Sequence, residues 1–367
     1  MMIWLAFISG LLIVQYTLLL FLLKLNWKNH FKNKGQIPKV SVLVAARNEE
    51  MDLPLLLKSF DKLDYPADQL EFLIADDQSE DQTAQIIEDW IQKGVNRKFI
   101  SIRSDQKNLF QKNGKANALA ILGQEAAGEF FFFTDADCEV PQYWIREGVN
   151  CFDENSGLVL GITQVKSKNL FGKMQEIDWW NTLGIVKAVT DLKLPTTGLG
   201  NNMVISRNAY LECGGFEKIP FSLTEDLEIS KAISGLGFKI KHQVSKNFLV
   251  KTKAEKDWKA LLKQRKRWVA GAMTLSIPWK ILLSLQILYY PLILGLIAFS
   301  VELGLAIFGI KVLFQSFFLY FFSKKVGQKL SVLPLLLFEF YQFWNLSLTI
   351  LYYFWPGQIE WKARKYP

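Results

Sequence analysis

Glu129-Phe130-Phe131-Phe132-Phe133-Thr134-Asp135-Ala136-Asp137 decides how this chain folds. An apolar run this short, bounded by polar residues, reads as a strand buried on both faces. Two acids follow it at once. In an open α/β sheet the carboxyl end of a strand is where ligands bind. Two carboxylates at this spacing also arise by chance; the buried strand that presents them raises the signal. Together they suit one hard cation, bound through oxygen and shared with a diphosphate.

Working outward, residues 40–46, 70–75 and 99–103 are further short β-rich runs. Between the runs, residues 53–62, 83–93 and 115–125 carry helical periodicity. This alternation predicts an α/β domain around a mostly parallel, doubly wound sheet. A second acidic pair, Asp76-Asp77, falls at another strand end. It reads either as the polar turn into the next helix or as a carboxylate set against the imide N–H of uracil. Thr224-Glu225-Asp226 precedes a helical pattern over 229–236. First-turn acids suit a helix N-terminus, while Asp226 also suits a general base for an attacking hydroxyl. With only His30 and His242 in the chain, a histidine triad or a His-rich metal site is not expected, and a carboxylate is the plausible base. Gly114-Lys115-Ala116 could bring Lys115 to phosphates at a helix start. Gly198-Leu199-Gly200-Asn201-Asn202 could let backbone pass close to a sugar.

Apolar runs flank this middle. Residues 3–23 are long enough to cross a bilayer. A cleaved leader would want a basic start and a small-residue cleavage site, and neither is present. Lys24, Lys28, Lys32, Lys34 and Lys39 follow, so the positive-inside rule places the next residues in the cytoplasm. Residues 281–300, 303–322 and 332–354 read as three more spans. That count leaves Lys362, Arg364 and Lys365 outside, against the same rule, unless one segment does not cross. Lys311 and Glu339 fall inside these runs, where a charge costs about 2.5–3.5 kcal/mol; they pair, line a polar lipid-headgroup site, or snorkel to an interface.

Gln264-Arg265-Lys266-Arg267-Trp268 lies on an amphipathic stretch before the second apolar region. It reads as a basic interfacial helix with an aromatic anchor, or as a clamp placing Arg267 on a diphosphate and Trp268 on a sugar. The chain carries a formal charge of +8 and is 50% hydrophobic. Its basic residues hug the apolar runs, so membrane lipids, not nucleic acid, are the expected partner. Cys138, Cys151 and Cys213 lack metal-ligand spacing and read as ordinary core cysteines in a reducing compartment.

Across residues 40–268 these four motifs, in this order, resemble glycosyltransferase family 2, the membrane-bound inverting enzymes with a GT-A fold; Ala45-Ala46-Arg47-Asn48-Glu49-Glu50 is similar to that family's first strand end. One span before and about three after look like the ceramide glucosyltransferase-like group and its bacterial relatives. The ending Trp361-Lys362-Ala363-Arg364-Lys365-Tyr366 matches that group loosely. The resemblance implies an α/β GT-A catalytic domain (Rossmann-like, with a mostly parallel mixed sheet) joined to an α-helical transmembrane region. It implies Asp76 and Asp77 on uridine, Asp135 and Asp137 on Mg2+ or Mn2+ and the donor, and Asp226 as base. Gln264, Arg267 and Trp268, with Lys115 near the phosphates, would close over a UDP-sugar. The acceptor would be a lipid-borne hydroxyl at the cytoplasmic face of a bacterial inner membrane. A processive polysaccharide synthase and a catalytically silent scaffold of the same fold stand as alternatives. The expected organisation is an anchor over 1–24, a catalytic domain over 38–255, an interfacial segment over 256–278, transmembrane helices over 279–356 and a basic tail over 357–367.

Overall fold

The computed structural model describes residues 1–194, 197–362 and 364–366; Ala363 of the tail motif and Pro367 lie outside the described residues. The chain forms two compact units. One comprises residues 28–166 and 189–253; the other comprises 1–27, 167–188 and 254–367. Residues 167–188 therefore group with the helical unit, although they fall within the 38–255 range.

A long helix, α1 (Met2–Leu25), opens the chain. The sheet unit then runs β1 (Val40–Ala46), α2 (Leu53–Phe60), β2 (Leu70–Asp76), α3 (Thr83–Ile91), β3 (Arg97–Ser101), α4 (Gly114–Glu125) and β4 (Phe130–Phe133). It continues through α5 (Trp144–Val149), β5 (Ser156–Leu160) and β6 (Ile162–Lys166). After α6 (Leu170–Asp191) come β7 (Met203–Ser206), α7 (Arg207–Glu212), α8 (Gly215–Lys218), α9 (Glu225–Gly235), β8 (Lys239–His242) and β9 (Leu249–Lys253).

Seven strands pair in the order β3-β2-β1-β4-β7-β5-β8. The first four are parallel, β7 is antiparallel to both its neighbours, and β5 and β8 are parallel. This is the mostly parallel mixed sheet of a GT-A fold. The order reverses at β1, between β2 and β4, and such a switch point opens a crevice at the carboxyl ends of these strands.

The four phenylalanines alternate faces, as the two-residue period of a strand requires. Phe130 packs on Phe152 and Phe132 on Trp144; Phe131 packs on Tyr210 and Phe133 on Phe216. With both faces covered, β4 cannot slip register without exposing aromatic surface. Its end, and therefore Asp135, is fixed by packing. Asn202 completes the frame: it accepts from Trp144 Nε1 and donates to the carbonyls of Ile162 and Phe248. This fully buried side chain holds strands together and is committed to structure.

In the helical unit, α10 (Trp258–Ala272) precedes α11 (Ile277–Phe299), α12 (Val301–Val326) and α13 (Val332–Phe354). A hairpin of β10 (Ile359–Trp361) and β11 (Arg364–Tyr366) follows. α1 packs on α11 and α12. Three helices, α1, α11 and α12, are long and apolar enough to cross a membrane. α13, expected as a fourth span, forms a continuous helix but is not among them. It buries Glu339, Gln342, Asn345 and Thr349 and exposes Leu333, Phe340, Trp344, Leu351 and Phe354. Lys311 and Glu339 pair directly, both fully buried, and Tyr290 donates to the second Glu339 oxygen at 3.0 Å. Of the readings for these charges, pairing is the one observed.

Candidate active site

Construction of the site starts at Asn113. Its side-chain oxygen caps α4 by accepting the amides of Lys115 and Ala116. Its amide group donates to Ser222 O and to Glu225 Oε2. The Lys115 ammonium therefore leaves α4 beside two acids, 2.5 Å from Asp135 Oδ1 and 3.0 Å from Glu225 Oε1. Burial disfavours this ammonium, but Asp135, Glu225 and Asp226 outweigh it and raise its pKa. One cation thus ties the ends of β4, α4 and α9 together.

Asp226 stands in the first turn of α9, so the helix-start reading holds. Its two oxygens each accept one amide, from Gly200 at 2.8 Å and from Leu227 at 2.9 Å. Burial and then the Glu225 carboxylate push its pKa up, against Lys115 and the two amides, and the net displacement is upward. The segment 198–200 runs against it: a Cβ on Gly198 would meet the Asp226 carbonyl oxygen at 2.0 Å. These glycines, read from sequence as a sugar approach, let backbone reach the acid.

At the end of β2, Asp76 and Asp77 are buried. Asp76 Oδ2 accepts the Ser79 amide, while Oδ1 is buried with no hydrogen-bond partner among the described residues. Arg47, just past β1, donates to the Asp77 and Gln78 carbonyls. Asn48 and Gln78 take positive φ, 52° and 60°, and the side chains of Asn48 and Ser79 bridge the two loops. The strand ends are thereby laced into one rim.

Asp135 and Asp137 are both partly exposed past β4. Among the described residues no group of three or more His, Cys, Asp or Glu converges as a ready-made metal cage. Two carboxylates nonetheless fit a hard cation that completes its shell with phosphate oxygens. The contact of the Lys115 ammonium with Asp135 shows that this carboxylate accepts positive charge. Cys138 lies next to Asp137, and burial followed by the two acids pushes its thiol pKa well up; it stays protonated and offers no soft ligand.

The helical unit holds the remaining motif. Gln264 donates to Glu255 at 2.8 Å. Arg267 lies 4.8 Å over the Trp361 ring, and Trp268 meets Trp179 edge to face at 5.5 Å. Arg265 covers Trp268 and pairs with Asp178.

Residues 2–367 match the sequence profile described as Glycosyl transferase family 21. The chain belongs to glycosyl transferase family 21. The ceramide glucosyltransferase-like resemblance is thereby borne out, and the broad family 2 expectation narrows to this family. The family 21 chain is 28% identical over 256 residues to a probable glycosyltransferase, YdaM, of Bacillus subtilis, covering 67% of this chain and 57% of that protein. It is 29% identical over 203 residues to the beta-monoglucosyldiacylglycerol synthase of Nostoc, covering 54% and 41%. It spans about half the length of these curated relatives. In structure it is similar to a mannosyltransferase, PcManGT, of Pyrobaculum calidifontis, solved with GDP-Man and Mn2+. The TM-score is 0.60 at 16% identity, over 96% of this chain and 99% of that one, which shows a shared fold.

The candidate site draws on two residues to which sequence reasoning gave no role in it. Asn113 and Glu225 hold Lys115 in place as much as Asp135 does. An Asn-Gly-Lys helix start was the available signal for the first. The second stood in the Thr224-Glu225-Asp226 motif but read there only as a first-turn acid.

Proposed function

We propose that this protein transfers a sugar, with inversion, from a UDP-sugar to a lipid-borne hydroxyl. The observation that carries the reading is the Asp226 carboxylate, oriented by the Gly200 and Leu227 amides and displaced upward in pKa. Such a group is a positioned base. Asp226 takes the proton of the acceptor hydroxyl. The acceptor oxygen bonds to the anomeric carbon from the face opposite the diphosphate. The bond from that carbon to the diphosphate breaks, its electron pair leaves with UDP, and the configuration inverts once.

Asp76 and Asp77 receive the uridine; the unpartnered Asp76 Oδ1 supports a donor N–H there. Lys115 steadies Asp135 and Glu225 and sits near the phosphates. Asp135 and Asp137 would hold Mg2+ or Mn2+, which neutralises charge on the departing diphosphate. Gln264, Arg267 and Trp268 act as the donor clamp. The relatives named beta-monoglucosyldiacylglycerol synthases favour a diacylglycerol-type acceptor.

We further propose that the reaction occurs at the cytoplasmic face of a bacterial inner membrane. Within the helical unit, Trp27, just past α1, packs on Phe322 and Lys325 at the end of α12. The carboxy-terminal hairpin packs on α10 through Lys263–Glu360 and Arg267–Trp361. Both ends of α13 then belong on the motif side, α13 lies along the membrane, and the basic tail obeys the positive-inside rule.

Membranes holding the protein, given a panel of radiolabelled UDP-sugars with Mn2+ or Mg2+, should yield a labelled lipid of opposite anomeric configuration. Long polymer would point to a synthase instead. No transfer and no donor hydrolysis from any UDP-sugar would end the reading.

A further inference from the structure

A second pocket lies wholly within the helical unit. It is a cavity of about 340 Å³ lined by Lys263, Lys266, Tyr352, Gly357, Glu360 and Lys365 among others. The size is that of a small-ligand site. Three lysines face one glutamate, so the lining carries a net positive charge. Lys266 is buried, and its ammonium donates to the carbonyls of Trp355 at 2.9 Å and Gly357 at 3.1 Å. The same ammonium lies 5.4 Å from the centre of the Tyr352 ring. Lys263 holds Glu360 at 3.0 Å, and Lys365 stands opposite Glu360 across the hairpin. An entering anion would compete with this single carboxylate.

The neighbourhood indicates where such an anion comes from. Leu351, Phe354 and Trp355 at the end of α13 are strongly exposed. An aromatic and aliphatic collar beside a basic pocket is the pattern of the bilayer interface, where rings sit at headgroup level and lysines meet phosphate.

We propose that this pocket binds the phosphate of an anionic phospholipid headgroup, seating the end of α13 and the hairpin on the membrane beside the motif helix. Its lining includes none of Gln264, Arg267 and Trp268. It rests on the membrane-surface reading, but the test below does not depend on transfer activity.

The full-length protein is reconstituted in phosphatidylcholine nanodiscs with and without phosphatidylglycerol, extracted in detergent, and its retained lipid read by native mass spectrometry. Wild type should keep phosphatidylglycerol over phosphatidylcholine. Lys263→Gln and Lys365→Gln should each weaken that preference about fivefold, the worth of one basic residue at an anionic surface. Glu360→Gln removes the competing carboxylate and should strengthen it, which keeps the test sound if a lysine variant folds poorly. Equal retention of the two lipids by wild type, or an unchanged preference in the substituted proteins, overturns the proposal. Displacement of the lipid by millimolar inorganic phosphate, together with phosphate-dependent thermal protection in lipid-free detergent, would reassign the pocket to a soluble anion and overturn it equally.

Discussion

The α-carbon of Gly198 lies against the main-chain carbonyl of Asp226, so closely that a methyl group on it would come within 2.0 Å of that oxygen. Gly198→Ala must therefore push the loop or α9 aside. Overpacking of this kind costs about 1–3 kcal/mol, and an ångström-scale shift of a reacting group can cost about 100-fold in rate. The expected result is a modest drop in thermal midpoint and a large drop in turnover. Wild-type turnover would show that the position of Asp226 does not matter to the reaction.

Asp226→Asn should lower kcat by about 10²- to 10⁴-fold, the usual worth of a positioned general base. Donor affinity, measured by titration calorimetry with UDP, should stay within a fewfold of wild type. A variant that retains turnover removes Asp226 from the mechanism.

The pH profile should report the same group. The base works deprotonated, so activity is lost as pH falls through its pKa. Burial and Glu225 raise that pKa, which puts the acid limb of kcat/KM above the ordinary carboxylate range. Glu225→Gln removes a charge that raises it and frees Lys115 to lower it further. The limb should move to lower pH, and an upward move would contradict the assignment.

Lys311→Met leaves Glu339 buried without its cation, and breaking a buried pair costs about 3–5 kcal/mol. The double substitution Lys311→Met with Glu339→Gln should recover most of that loss, because no charge is left unpaired. Thermal midpoints in detergent for the two singles and the double close the cycle. Additive losses would mean that the two residues are not energetically coupled.

A reporter fused after Tyr366 should share the membrane side of one inserted before α10. Cysteine labelling in intact cells against permeabilised cells distinguishes the sides. Tail labelling from outside would restore α13 as a crossing helix.

Much of the fold was legible because burial and period coincide. Val40–Ala46 is the same strand in sequence and structure, and the Phe130–Phe133 run became the doubly covered strand that its composition required. The start of α9 at Glu225 was legible from its first-turn acids, although the apolar pattern sets in only at 229. The acids themselves were legible as strand-end and helix-start residues. The contacts that join them were not, since Asn113 and Glu225 are 112 positions apart and only the folded sheet unit brings them together. α13 shows why a span is hard to read from average hydropathy. It exposes apolar side chains and buries Glu339, Gln342, Asn345 and Thr349 among apolar ones, so its average hydropathy falls below that of α1, α11 and α12.

That buried pair also sets a schedule for synthesis. Lys311 emerges from the ribosome 28 residues ahead of Glu339, so α12 reaches the insertion machinery carrying an unneutralised ammonium. Its stable release into lipid should wait for α13. Chains truncated after Val326 are expected to integrate poorly and to be degraded quickly, and supplying α13 as a separate segment should rescue them. A helix that need not cross the bilayer would then be the latch for one that is long and apolar enough to do so.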